Sequence, residues 1–183
     1  MAAIDLIDES GDSSRLSLRA IARHAGISAP SIYAHFADLP AVIDAVLAAS
    51  FDQLLAAVRE AIDSNPEPVT ALTAAARAYV DFGWEHRARY RLMFAGTGFA
   101  PDAVATFALV EQAIRRCVDG GLSSSTDPHA DAFLVWVGVH GMATLEKPDR
   151  DDLRRLGPLD RPRLLDDMVR SLAKVARVNA SKG

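Results

Sequence analysis

Apolar residues recur at three- and four-residue spacing along almost the whole chain, and no stretch sustains alternation with period two. That spacing is the strongest constraint the sequence sets. Side chains three and four apart share one face of a helix, whereas a half-buried strand needs every second residue apolar. An all-α fold is therefore expected, with proline and glycine clusters as punctuation. Half of the 183 residues are apolar, which is enough for a core and too hydrophobic for general disorder.

The segments follow in order. A short one covers Met1 to Glu9. The second runs from Ser17 to Ala25, where Leu18, Ile21, Ala22 and Ala25 form one stripe and Arg19 and Arg23 share the opposite face. Ser17 is a natural N-cap, and Gly26 supplies the left-handed residue that ends a helix. The third opens at Ser28, carries Pro30 in its first turn, turns Ile32 and Phe36 inward and runs to Phe36. A long helix from Asp38-Leu39-Pro40 to about Ser64 is broken by Asn65-Pro66-Glu67-Pro68, where a hinge is expected. Val69–Glu85, Arg87–Phe94, Pro101–Asp119, Pro128–Leu145 and Pro162–Val178 complete the set, with loops at Gly120-Gly121, Ser123-Ser124-Ser125 and Glu146–Pro158.

Charge and motif content narrow the function classes. The net charge is −4, yet Ser13 to Phe36 holds Arg15, Arg19 and Arg23 and no carboxylate. A local basic stretch in an acidic chain is a patch where phosphate can dock. The plain alternative is a solvated helix face. Cys117 is the only cysteine, so no internal disulfide or zinc cluster is expected, and a reducing cytoplasm is. Met1 leads into Ile4-Asp5-Leu6-Ile7-Asp8-Glu9 without a basic stretch, so no signal peptide is expected. The apolar run Ala132–Leu145 is short for a bilayer, and no membrane partner is expected. No His-Glu-x-x-His, Gly-x-Ser-x-Gly or P-loop occurs, and Gly96-Thr97-Gly98 lacks a third glycine and a preceding strand. No catalytic residue, cofactor or metal is assigned. Cys117 beside Arg115 and Arg116 is read as a buried, inert thiol.

Two short capped helices joined by Gly26-Ile27 make a helix-turn-helix. Its second helix can enter the major groove while the first crosses the backbone. The N-termini at Ser17 and Ser28 present free N–H groups suited to phosphate. Over roughly Leu16 to Leu47, with Ile21-Ala22, Ala25-Gly26-Ile27-Ser28 and Tyr33-x-His35-Phe36, the sequence resembles the TetR family of transcriptional regulators. Tyr79-x-x-Phe82, Tyr90-Arg91-Leu92-Met93-Phe94 and Trp136-x-x-x-His140-Gly141 resemble the subgroup named for its Trp-His-Gly motif.

The resemblance implies an all-helical homodimer. Residues 1–47 would form a helix-turn-helix domain that binds double-stranded operator DNA, and 48–183 a domain for effector binding and dimerisation. Ligand binding would change the spacing of the two reading heads and release the operator. Carried over residue by residue, Ser28, Ala29, Pro30, Ser31, Tyr33 and His35 face DNA, and Ser17, Tyr33 and His35 touch phosphate. Charge adds Arg19 or Arg23. The plain alternatives are a core aromatic for Tyr33 and a helix-end histidine bonded to a carbonyl for His35.

Three departures from the family pattern stand out. The family usually carries another turn or two before Ala2-Ala3-x-x-Leu6-Ile7, so Met1 is expected to start in mid-helix. Leu39 stands where a phosphate-binding lysine is common. The recognition helix has no Arg, Lys, Asn or Gln, so the bidentate readers of guanine and adenine are absent. Thymine methyl contacts, Ser31, Tyr33 and DNA shape would carry specificity.

Phe133-Leu134-Val135-Trp136-Val137-Gly138-Val139 is apolar all round and needs cover on two faces. The last helix adds Leu164, Leu165, Met168, Leu172, Val175 and Ala176 at helical spacing, and Phe133, Val137, Leu165, Met168, Leu172 and Val175 are the expected dimer interface. Tyr79, Phe82, Tyr90, Met93, Phe94, Phe107, Phe133, Trp136 and His140 are the expected pocket walls for a small apolar or aromatic effector. Gly138, Gly141 and Ala143 are alternatively places for close helix packing. The rival reading is a helical small-molecule-binding or interaction protein without DNA binding. Residues 1–50 favour it, with three Arg against six Asp and Glu.

Overall fold

In the computed structural model, which describes residues 1–96, 101–145 and 160–176, the expected stripes form helices. Among the described residues the one extended pairing is an isolated bridge between Ser123 and Val175.

Helix α1 (Ala2–Ser10) ends at Gly11, whose φ of 65° a side chain would resist. One 3-10 turn, Ser13–Arg15, follows; spacing did not reveal it, because the Asp12 carboxylate accepting the Ser14 amide at 2.9 Å sets it. Helix α2 (Leu18–Ala25) starts where Ser17 Oγ accepts the Ala20 amide at 3.1 Å, and it buries Ile21 and Ala22. Helix α3 (Ala29–Tyr33) starts where Ser28 Oγ accepts the Ser31 amide at 3.3 Å.

The sequence placed the end of α3 at Phe36, but the helix stops at Tyr33. The amides of His35 and Phe36 both bond to the Ile32 carbonyl at 2.9 Å. The chain must turn there, because Asp38 caps α4 (Leu39–Asp63) by accepting the Ala41 amide at 2.9 Å.

Helix α4 is long and apolar enough to cross a membrane by length and composition alone. Its buried stripe (Val42, Val46, Phe51, Leu54, Val58, Ile62) instead packs within the protein, and Asp44, Asp52, Arg59 and Glu60 face outward. It lies against α5 (Pro68–Glu85) and α7 (Pro101–Asp119). Between them come α6 (Arg87–Met93), then α8 (Pro128–Thr144) and α9 (Arg161–Leu172).

Buried side chains form two clusters that divide along α4. Ile4, Ile7, Leu16, Ile21, Ile32, Val42 and Val46 make the first, joined by Ala88 of α6. Phe51 and Leu54 belong to the second, with α5 to α9. The hinge expected at Asn65–Pro68 is therefore a turn inside the second cluster. Glu67 caps α5 there by accepting the Val69 and Thr70 amides.

The last helix was expected to reach Val178 and ends at Leu172. The Asp131 carboxylate, 3% exposed, explains the stop. A buried charge needs partners, and Asp131 takes Ser125 Oγ at 2.5 Å and Lys174 Nζ at 3.1 Å. That pair draws 173–175 onto the serine loop, with Lys174 at φ 52°. The expected loop Glu146–Pro158 lies outside the described residues.

Candidate nucleic-acid interface

The two capped helices turn their apolar sides inward and leave a polar face outward. Ile21, Ala22 and Ile32 are buried, whereas Ser17, Arg19, Ser28, Pro30, Ser31, Tyr33 and His35 are exposed. Tyr33 is 60% exposed, which removes its core alternative. His35 lies beyond the helix end, in the turn. Ala29 begins α3.

Ser28 Oγ and Ser31 Oγ lie 2.7 Å apart, so either hydroxyl donates to the other. With Ser28 also accepting the Ser31 amide, the first turn of α3 is tied at its start. Arg15 pairs with Asp12 at 3.6 Å. Arg19 and Arg23 have no ion-pair partner among the described residues, which leaves both guanidinium groups available to an outside anion. Ile27, on the turn, is 47% exposed and was not among the expected contacts. Its signal in the sequence was an apolar residue with no place in either helix stripe.

The second half holds a hydrogen-bonded aromatic group. Tyr90 Oη donates to Tyr79 Oη at 3.0 Å, and His140 Nδ1 lies 2.7 Å from Tyr90 Oη. The Trp136 ring stacks on His140 at 5.4 Å, and Phe94 meets it edge-on at 4.6 Å. Burial pushes the Tyr79 phenol up to about 12 and raises Tyr90 as well. Burial also lowers the basicity of His140, so this group is uncharged near neutral pH.

An apolar cavity of about 200 Å³ lies beside it, lined by Ala103, Val104, Phe107, His129, Phe133 and Trp136. Trp136 thus belongs both to the cavity and to the His140 stack. Of the other expected walls, Phe82 and Met93 are buried in the second cluster, as are Tyr79 and Tyr90. Phe82 meets the His86 ring and lies under the Arg89 guanidinium.

Of the residues on the two helices expected to pair, Phe133, Leu134, Val137 and Leu164 are exposed. Met168 and Leu172 are half-buried over Gly138, where an added Cβ would meet Met168 at 3.0 Å. Leu165 and Val175 do not face outward. α9 turns Leu165 into the protomer's own second cluster, and the Ser123 bridge holds Val175 there. Cys117 is buried, and desolvation pushes its thiol up to about 11.

Comparison with known proteins matches both halves. Residues 2–46 match the family described as "Bacterial regulatory proteins, tetR family". Residues 72–172 match "Tetracyclin repressor-like, C-terminal domain". Over 99 residues the chain is 34% identical to the HTH-type transcriptional activator FasR of Mycolicibacterium smegmatis. That stretch is 54% of this chain and 44% of FasR, so the match spans less than half of the relative's length.

Among solved structures, a protein of unknown function from Rhodococcus sp. RHA1 superposes with a TM-score of 0.71 at 25% identity, over 94% of this chain and 90% of that one. AibR, solved with isovaleryl coenzyme A and operator DNA, superposes with a TM-score of 0.66 at 21% identity, over 96% of each chain. At that identity the likeness to AibR carries the fold.

Proposed function

Because the chain belongs to the TetR family of DNA-binding transcriptional regulators, we propose that it binds operator DNA as a symmetric homodimer and is a repressor released by a small apolar or aromatic effector. The observation that carries this reading is the outward polar face of α2 and α3. Ser28 caps α3, and Ser31 and Tyr33 stand exposed on it, as a helix entering the major groove requires. Residues 1–47 then act as the reading head and 48–183 as the effector and dimer domain, in the cytoplasm where the operator lies.

Ser17 and Ser28, at helix starts, suit phosphate, and Arg19 adds charge. Pro30, Ser31 and Tyr33 lie on or beside the groove-facing turn, with Ala29 at its start and His35 at its far end. Phe107, Phe133 and Trp136 supply the apolar wall for an effector. AibR carries isovaleryl coenzyme A, and a short branched acyl chain suits an apolar cavity of about 200 Å³. An acyl thioester is therefore the effector class to test first. Phe133 and Val137, with Leu134 and Leu164, suit a second copy of the chain.

A gel shift on DNA flanking the protein's own gene, at low and moderate salt, tests the reading. A discrete complex is expected, and Tyr33→Ala or Ser31→Ala should abolish it without loss of helicity. No complex at low salt contradicts the reading and supports the rival without DNA binding.

A further inference from the structure

Three consecutive residues of α6 meet different parts of the protein. Ala88 packs into the first cluster, with α1 to α3. Tyr90 packs into the second and bonds to Tyr79 and His140. Between them Arg89 is 2% exposed. Its Nε donates to Asp8 Oδ1 of α1 at 2.8 Å, and its Nη1 donates to Gln53 Oε1 of α4 at 2.6 Å. Its guanidinium lies 5.7 Å from the centre of the Phe82 ring. The other oxygen of Asp8 is 3.3 Å from His86 Nδ1, just before α6.

A buried charge with partners on two other helices fixes those helices relative to each other. Asp8 belongs to the head, whereas Gln53 lies on the part of α4 that packs in the second cluster. We propose that Arg89 is a positioning residue for DNA binding: it latches α1, and with it the reading head, to the body through Asp8 and Gln53. This rests on the proposed reading only for its link to DNA. The latch itself is a statement about α1.

Arginine is required for this geometry. Its planar fork reaches a carboxylate and an amide from one flat group while it stacks on a ring. Lysine keeps the charge and loses the fork. Methionine keeps the apolar stem and loses both donors.

Hydrogen exchange on the full chain tests the latch without DNA. In Arg89→Lys and in Arg89→Met, amides of α1 should exchange about tenfold faster or more, the change expected when a charge-assisted bond is lost. Amides of α5 and α8 should keep their wild-type rates. A duplex from the region flanking the gene should bind these variants about tenfold more weakly, since a loosened head must be ordered again on binding. Asp8→Asn, from the far side of the contact, should loosen α1 in the same way.

Wild-type exchange in α1 of Arg89→Lys overturns the latch. So does equal acceleration through α1, α5 and α8, because Arg89 is then only part of the core. If Arg89→Met fails to fold, Arg89→Lys and Asp8→Asn still decide. Loss of DNA binding by the wild type would sink the proposed function and leave the exchange result standing.

Discussion

His140 shows how one side chain's surroundings set a measurable property. Its ring lies between Trp136 and Phe94, and Tyr90 Oη meets its Nδ1. Burial depresses its basicity below the ordinary value of 6.5. The unfolded chain then binds a proton there more readily than the folded one. The stability from this group is complete above the ordinary value and is lost as pH falls through the depressed value. On lowering pH from about 7 to about 5, the melting temperature of the wild type should fall further than that of His140→Gln. Parallel melting curves for the two would contradict this.

At this scale the sequence was partly legible. Ser17, Ser28 and Gly26 announce their caps through neighbours at most four residues away. The Tyr79–Tyr90–His140 bonds and the Asp8–Arg89 pair join residues far apart in sequence, and periodicity does not reach that far.

Helix packing explains two glycines that look alike in sequence. A Cβ on Gly83 of α5 would meet the Cβ of Ala143 on α8 at 2.7 Å, and neither backbone can yield cheaply. Gly83→Ala should therefore cost about 1–3 kcal/mol in urea unfolding. A Cβ on Gly138 would meet the Sδ and Cε of Met168 at 3.0 Å, the far end of a flexible side chain. Alanine also gains helix propensity, so Gly138→Ala should stay within about 1 kcal/mol of wild type. Equal losses at the two sites would contradict this account of α5–α8 packing.

Gly138 and Ala143 thus bear the close contacts expected of them, whereas nothing approaches the added Cβ at Gly141 within 4 Å. Helix interiors were readable because spacing fixes them. Helix ends were less so, as at Tyr33, shortly before the local Asp38 cap of the next helix, and at Leu172, where a tertiary demand, the Asp131–Lys174 pair, intervened.

On the scale of the molecule, α8 and α9 leave Phe133, Leu134, Val137 and Leu164 each about half exposed on one side. Covering that surface with a second copy gives a dimer of twice 19.6 kDa. Val137→Asp should halve the solution mass seen by light scattering and keep the helical circular dichroism, because Val137 is exposed within the protomer. An unchanged mass would contradict a dimer through this face. The pairing also matters for binding. If α3 reads bases, as proposed, its lack of Arg, Lys, Asn and Gln leaves little gain from each base, and two heads would have to act together on one duplex.

Hydroxyl-radical footprinting of the wild-type chain on the DNA flanking its gene tests that central claim most directly. Two symmetric protected patches are expected, with centres one helical turn or a multiple of about 34 Å apart, and both should vanish with Tyr33→Ala. A single asymmetric patch, or protection that survives Tyr33→Ala, would contradict it.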